Sequence, residues 1–205
     1  NLSCKNFVYS FKNITEFRKG FREKYNYIIA YHGTNLTIEE LDLLKKVGLK
    51  LSSKDLLIKR AKSRFFNKND NFNNKIEENI LKYFSNNELS IKNEINFALI
   101  KNDLKKNYHY VLFGAESLLP LADYLKNIFH ESFRIKLIES SSHYIIKVSI
   151  PVDKIDDEWI NLIYDYFHES NFAISLTYYF DLPNENIIEI ENVKRPDDIY
   201  KLIQI

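Results

Sequence analysis

The chain of 205 residues is short of several residue types, and each shortage narrows what it can be. A single cysteine, Cys4, excludes an intramolecular disulfide and any cysteine-based zinc site. Four glycines and four prolines exclude collagen-like and glycine-rich linker architectures. Methionine is absent even at position 1, so the native start is expected to have been trimmed or replaced. No run approaches the eighteen or so uncharged apolar residues of a membrane span, and no signal-peptide pattern is visible. The expectation is a globular protein of the cytoplasm, one domain over residues 1–205, with no membrane partner.

What remains is rich in large apolar side chains, with 15 Phe and 14 Tyr, so whole-chain disorder is ruled out. The net charge of +1 conceals an asymmetry. Lys45, Lys46, Lys50, Lys54, Lys59, Arg60, Lys62 and Arg64 face only Asp55 in their segment. Acids dominate from Asp153 to Asp198. Two solvated faces attracting each other would account for this; so would a basic face for phosphate or nucleic acid. The basic run lacks the interleaved aromatics of a single-strand platform, and it would serve one pyrophosphate as well as a polymer.

Periodicity places helices over Leu41 to Phe65, divided by a C-cap at Gly48 and an N-cap at Ser52 or Ser53. Further helices are expected at Lys75 to Phe84, Leu118 to Phe129 and Glu158 to Phe167. Asn67 to Asn74 reads as a surface loop. Strands are expected at Tyr27 to Tyr31, stopping at Gly33, and at Tyr108 to Phe113, stopping at Gly114. Ile135 to Ile138, Tyr144 to Ile150, Phe172 to Thr177 and Ile187 to Ile190 complete the strands. The expected class is α+β, with a mixed or antiparallel sheet and helices concentrated in the first half.

The local feature with most chemical content is Tyr31-His32-Gly33-Thr34. A histidine, a glycine and a hydroxyl residue at a strand end offer an open backbone site. An imidazole can hydrogen-bond a ribose hydroxyl there. The plain alternative is a turn at Gly33, with Thr34 capping the helix that starts at Ile38. The other histidines, His109, His130, His143 and His168, have no metal-ligand spacing, so no metal site is expected. Gly114-Ala115-Glu116-Ser117 lacks the Gly-x-Ser-x-Gly pattern of a hydrolase.

The order of features around His32 resembles the ADP-ribosyltransferase superfamily, which includes relatives of diphtheria toxin, the poly(ADP-ribose) polymerases and the tRNA 2′-phosphotransferases. Tyr31-His32-Gly33-Thr34 is similar to its first motif, and Lys46-Val47-Gly48-Leu49 to the end of the helix that follows. Val111 to Ser117, with Ala122 and Tyr124 behind it, falls where the aromatic motif and its helix lie. Phe172 to Thr177 with Leu182 to Ile187 resembles the closing strand and hairpin. The likeness touches four places over residues 27–192; the stretch 66–107 has no counterpart and reads as a helical insertion in a split-sheet core.

The resemblance implies a mono-ADP-ribosyltransferase that consumes NAD as a substrate and modifies a protein or nucleic-acid acceptor. His32 would hold a ribose hydroxyl, Gly33 the carboxamide, and Thr34 would line the ligand. Lys50, Lys54 or Arg60 would neutralise pyrophosphate. Phe113 stands where the family usually has a nicotinamide-stacking tyrosine, with Tyr110 and Tyr124 as substitutes. Glu169, Asn171 or Glu116 would occupy the position of the catalytic glutamate, with Glu185 a further rival. The composition is similar to intracellular bacterial toxins and antiviral (phage-defence) effectors, which implies a cognate inhibitor protein as a partner. Two alternatives stand beside this: a tRNA 2′-phosphotransferase-like enzyme, and a catalytically silent module binding nucleic acid or an acidic partner.

Overall fold

A computed structural model describes residues 6–66, 72–88, 91, 93–106, 109–114, 118–169 and 175–194, without the side chains of 109, 110 and 169. It is an α+β protein. Five strands, β1 (Tyr27–Leu36), β2 (Ile95–Ala98), β3 (Ser142–Pro151), β4 (Ser175–Tyr178) and β5 (Ile187–Asn192), form one sheet in the order β4-β2-β1-β3-β5. Every pairing is antiparallel. The helices are α1 (Ile14–Lys24), α2 (Ile38–Val47), α3 (Lys54–Phe65), α4 (Asn73–Asn86), α5 (Lys101–Lys106), α6 (His109–Phe113), α7 (Leu118–Phe129), α8 (Phe133–Glu139) and α9 (Asp157–Glu169).

Local chemistry accounts for the ends of several helices. Asn13 caps α1 by accepting from the Glu16 amide at 3.0 Å, and Ser53 caps α3 by accepting from the Leu56 amide at 3.2 Å. Thr37 and Glu40 form a reciprocal capping box at the start of α2. Gly48 ends α2 at φ +83°, where a Cβ would stand 2.0 Å from the Leu182 carbonyl oxygen. Only glycine tolerates that conformation and that approach. The next residue, Leu49, exchanges two 2.8 Å hydrogen bonds with Leu182, which joins the end of α2 to the segment ahead of β5.

Apolar packing divides into two main cores. One face of the sheet, with Ile28, Ala30, Phe97, Ile146 and Val148, is covered by Phe17 and Phe21 of α1 and Trp159 and Ile160 of α9. The second core lies among helices, built from Leu57, Phe65, Ile80, Phe84, Leu121, Leu125, Phe133 and Leu137. A small third cluster, including Leu104, Val111 and Ile145, seats α5 and α6 on the opposite sheet face.

Several expectations are corrected. Residues 109–113 are the short helix α6, not a strand, and residues 133–139 are α8, which replaces the strand expected at Ile135 to Ile138. Alternation and a short apolar run do not separate a strand from a buried helical turn, and both segments are claimed by the helical core. Helices are not concentrated in the first half, because α5 to α9 all follow residue 100. Strand β1 does not stop at Gly33 but runs on to Leu36, paired throughout with β3 from Tyr27↔Pro151 to Leu36↔Ser142. The stretch 66–107 carries β2, an interior strand between β1 and β4, as well as α4 and α5. Thr37, not Thr34, caps α2.

Candidate functional site

Strand β1 carries the site. His32 follows Tyr31, whose pairing with Ala98 is the one register position joining β1 to β2 among the described residues. Where the two strands part, the half-buried His32 side chain turns toward β2, and its Nδ1 lies 2.8 Å from the Asn96 carbonyl oxygen. A carbonyl only accepts, so Nδ1 carries the proton and the neutral ring keeps its lone pair on Nε2. Among the described residues, Nε2 has no hydrogen-bond partner. The ring meets Phe97 edge-on at 5.7 Å. Burial pushes the imidazole below the ordinary histidine value; the Arg60 charge adds to this, and the Asn96 carbonyl works against it.

Arg60 belongs to a nearly closed ionic cluster. Its Nε donates to Glu40 at 2.6 Å, and Arg64 Nη2 donates to the other Glu40 oxygen at 2.5 Å. Arg64 also donates to the Asn35 side-chain oxygen at 2.6 Å and to the Asn35 backbone oxygen at 2.9 Å. Its side chain is fully buried, with Arg60 and Glu40 only 14% and 16% exposed. Two guanidinium groups thus share one carboxylate. Burial and Arg60 pull the Arg64 guanidinium down to about 10, while Glu40 draws it back up. Burial pushes the Glu40 carboxyl up, but Arg60 and Arg64 outweigh it, and the group ends below the ordinary carboxylate range.

Asn35 ties this cluster to the helical layer. Its amide donates to the Leu112 carbonyl at 2.7 Å, and Gly114, at φ +69°, comes so close that a Cβ would lie 2.3 Å from its side-chain oxygen. Ser141 donates to Leu137 at 2.8 Å, and the buried His143 lies 3.1 Å from the Val111 carbonyl oxygen. Most of the buried polar side chains therefore sit on the seam where the sheet meets the helical layer. Such a seam fixes one docking geometry, because a shifted helix would leave each of these groups unsatisfied.

The structure brings together only some of the residues singled out from sequence. His32, Thr34 and Arg60 share the β1 neighbourhood, with Thr34 buried and its hydroxyl 3.5 Å from the Asn35 carbonyl. Gly33 is not an open backbone site: a Cβ there would meet Val111 Cγ2 at 2.9 Å and Leu104 Cδ2 at 3.3 Å. Its glycine admits α5 and α6 to the sheet. Phe113 is 4% exposed inside the helical core, so it presents no open face for stacking on a ligand. Tyr124 lies in α7 beside Asn79 and Tyr83 of α4, its hydroxyl 3.4 Å from Asn79. Lys50 is bonded to Asp181 at 2.9 Å. Glu116 and Asn171 fall outside the described residues, as do the side chains of Tyr110 and Glu169. The same holds for Phe172 to Ile174 at the start of the expected closing strand; β4 begins at Ser175.

Sequence reasoning missed Asn35, Glu40, Arg64 and Asn96. Asn35 directly follows the singled-out tetrapeptide, Thr37-x-x-Glu40 is a legible capping box, and Arg60 and Arg64 share a helix face. Nothing in the sequence marks Asn96, whose contribution is a backbone carbonyl. The basic segment also changes meaning. Lys50, Lys54, Arg60, Lys62 and Arg64 pair with Asp181, Glu88, Glu40, Glu77 and Glu40 respectively. Among the described residues no cluster of three metal-ligating side chains occurs, and no helix is long and apolar enough to cross a membrane. Comparison with protein-family models, with curated proteins and with solved structures returned no match.

Proposed function

We propose that this chain is an NAD-dependent mono-ADP-ribosyltransferase that modifies a macromolecular acceptor, protein or nucleic acid. One observation carries the reading: a neutral histidine is oriented by a backbone carbonyl where β1 and β2 part, within the electrostatic reach of the Arg60 guanidinium. The Nε2 lone pair accepts from a ribose hydroxyl, and Arg60, whose Nε is held by Glu40 and whose Nη2 lies 3.5 Å from the Asn35 carbonyl, offers Nη1 to a phosphate oxygen. Sugar and phosphate recognition side by side is what a dinucleotide needs. The α+β class and the antiparallel sheet are compatible with the resemblance, although the five strands form one continuous sheet and not the split core that the resemblance implies.

In the reaction, the bond between nicotinamide and ribose breaks with its electron pair leaving on nicotinamide. Positive charge builds on the ribose. A carboxylate near that ribose stabilises the charge more in the transition state than in the ground state, and the acceptor nucleophile then attacks and loses its proton. Glu169 or Glu116 supplies that carboxylate in this reading; Glu40 does not, being committed to two arginines and to its own helix cap.

The alternatives find less support. A 2′-phosphotransferase needs several arginines for phosphate, whereas Arg18, Arg22, Arg64 and Arg134 are all bonded to protein groups away from His32 or buried. A polyanion-binding module needs a free basic face, and five of the eight cations between Lys45 and Arg64 pair within the fold. The test is incubation with NAD labelled in its adenylate half together with a cell extract. Wild-type protein transfers label to a protein or nucleic-acid fraction, and His32→Ala, shown folded by its melting curve, does not. Equal transfer by the two, or neither NAD binding nor transfer by wild type, overturns the reading.

A further inference from the structure

At the Tyr27 end of β1, a cavity of about 270 Å³ opens between α1, α9 and the segment after β2. Its wall includes Tyr27 and Ile28, four to five residues from His32, which is roughly 13–17 Å at the rise of a strand. It is therefore separate from the site proposed above. Aromatic rings, those of Phe7, Phe17, Phe21, Tyr25, Tyr27, Tyr166 and Phe167, dominate the lining, and none of the described lining residues is charged. The rings already contact one another edge-on or tilted, with Phe7 5.3 Å from Tyr25 and Phe17 5.5 Å from Phe21. Water gains few hydrogen bonds in such a space, and cavities lined by apolar side chains take up apolar molecules readily.

A charge stands over two of the wall rings. Lys24, the exposed last residue of α1, holds its ammonium 4.0 Å from the centre of the Phe7 ring and 5.6 Å from that of Tyr25, both of them cavity walls. Among the described residues Lys24 has no carboxylate partner, whereas its neighbours do: Lys19 faces Glu23 and Arg22 is bonded to Asp157. An apolar chamber, with a cation over two of its wall rings that has no carboxylate partner among the described residues, matches a ligand that is apolar at one end and anionic at the other. The rings favour a flat partner, which they meet edge-to-face.

From this geometry we infer that the cavity binds a small aromatic carboxylate, its rings among Phe17, Phe21 and Tyr166 and its carboxylate toward Lys24. The probes are 2-naphthoate and its uncharged amide, titrated calorimetrically against the full chain. Naphthoate binds saturably, and the amide binds about three- to fivefold more weakly, the range that an exposed ion pair supplies. Lys24→Glu removes the preference for the carboxylate and leaves amide binding intact. Ile100→Trp, which projects a large ring into the cavity from its half-exposed edge, abolishes both, and His32→Ala changes neither. Should Ile100→Trp fail to fold, shifts of the Phe17, Phe21 and Tyr166 ring resonances on naphthoate addition locate the ligand. No saturable binding of either probe overturns the inference, as do equal affinities in wild type, or binding that shifts none of those rings.

Discussion

Replacing Glu40 by glutamine tests the ionic seam without disturbing the helix that carries it. Glutamine serves in a capping box as glutamate does, so the bond back to the Thr37 amide, 2.9 Å in length, survives the change. What is lost is the single negative charge shared by Arg60 and Arg64. Arg64, with its side chain fully buried, is then a cation with no counter-charge, and Arg60 is nearly as enclosed. Removing one partner of a buried pair costs about 3–5 kcal/mol. The slight exposure of Glu40 places this case near the lower end, about 3 kcal/mol. For a chain of this length that is a fall of roughly 6–12 °C in melting temperature. Thermal and denaturant unfolding measure it, with the exposed neighbour Glu39→Gln as a control expected to stay within about 0.5 kcal/mol. Adding Arg64→Met to Glu40→Gln removes the stranded charge and restores part of the loss. The pH dependence follows the lowered Glu40 value. Its stabilisation is complete above the ordinary glutamate range and disappears as pH falls through the lowered value, and the variant lacks that component. A loss under about 0.5 kcal/mol in Glu40→Gln, or a double variant weaker than the sum of the singles, would refute the account.

Two further outcomes follow. Gly33→Ala destabilises by about 1–3 kcal/mol through the clash with Val111, and Val111→Ala in the same chain recovers part of it; denaturant midpoints show whether the glycine serves packing. His32 stays neutral below the pH at which an ordinary histidine protonates, so folding stability falls as pH drops from the ordinary value toward the lowered one, then levels. An NMR titration of the His32 ring, together with the melting curve of His32→Ala, checks the sign.

The sequence by itself determined what depends on neighbours along the chain. Gly48 as a helix end, Ser53 as a cap, and the apolar stripes of α3, α4, α7 and α9 are local matters, decided by backbone sterics and a helical repeat. The strands at β1, β3 and β5 were legible for the same reason. Residues 109–113 and 135–138 were not, because a short apolar run takes whichever conformation its surroundings bury best, and here the helical core claims both. Strand β2 escaped notice because four residues carry too little pattern. The candidate site divides in the same way. His32 was conspicuous as part of a motif, but its tautomer depends on a carbonyl 64 residues away and its neutrality on burial in the folded chain. The basic segment from Lys45 to Arg64 read either as a solvated face or as a face for phosphate or nucleic acid until folding brought Glu40, Glu77, Glu88 and Asp181 against it. Charges are set down by the sequence; which of them remain free to meet a ligand is decided only when distant segments pack together and claim the rest.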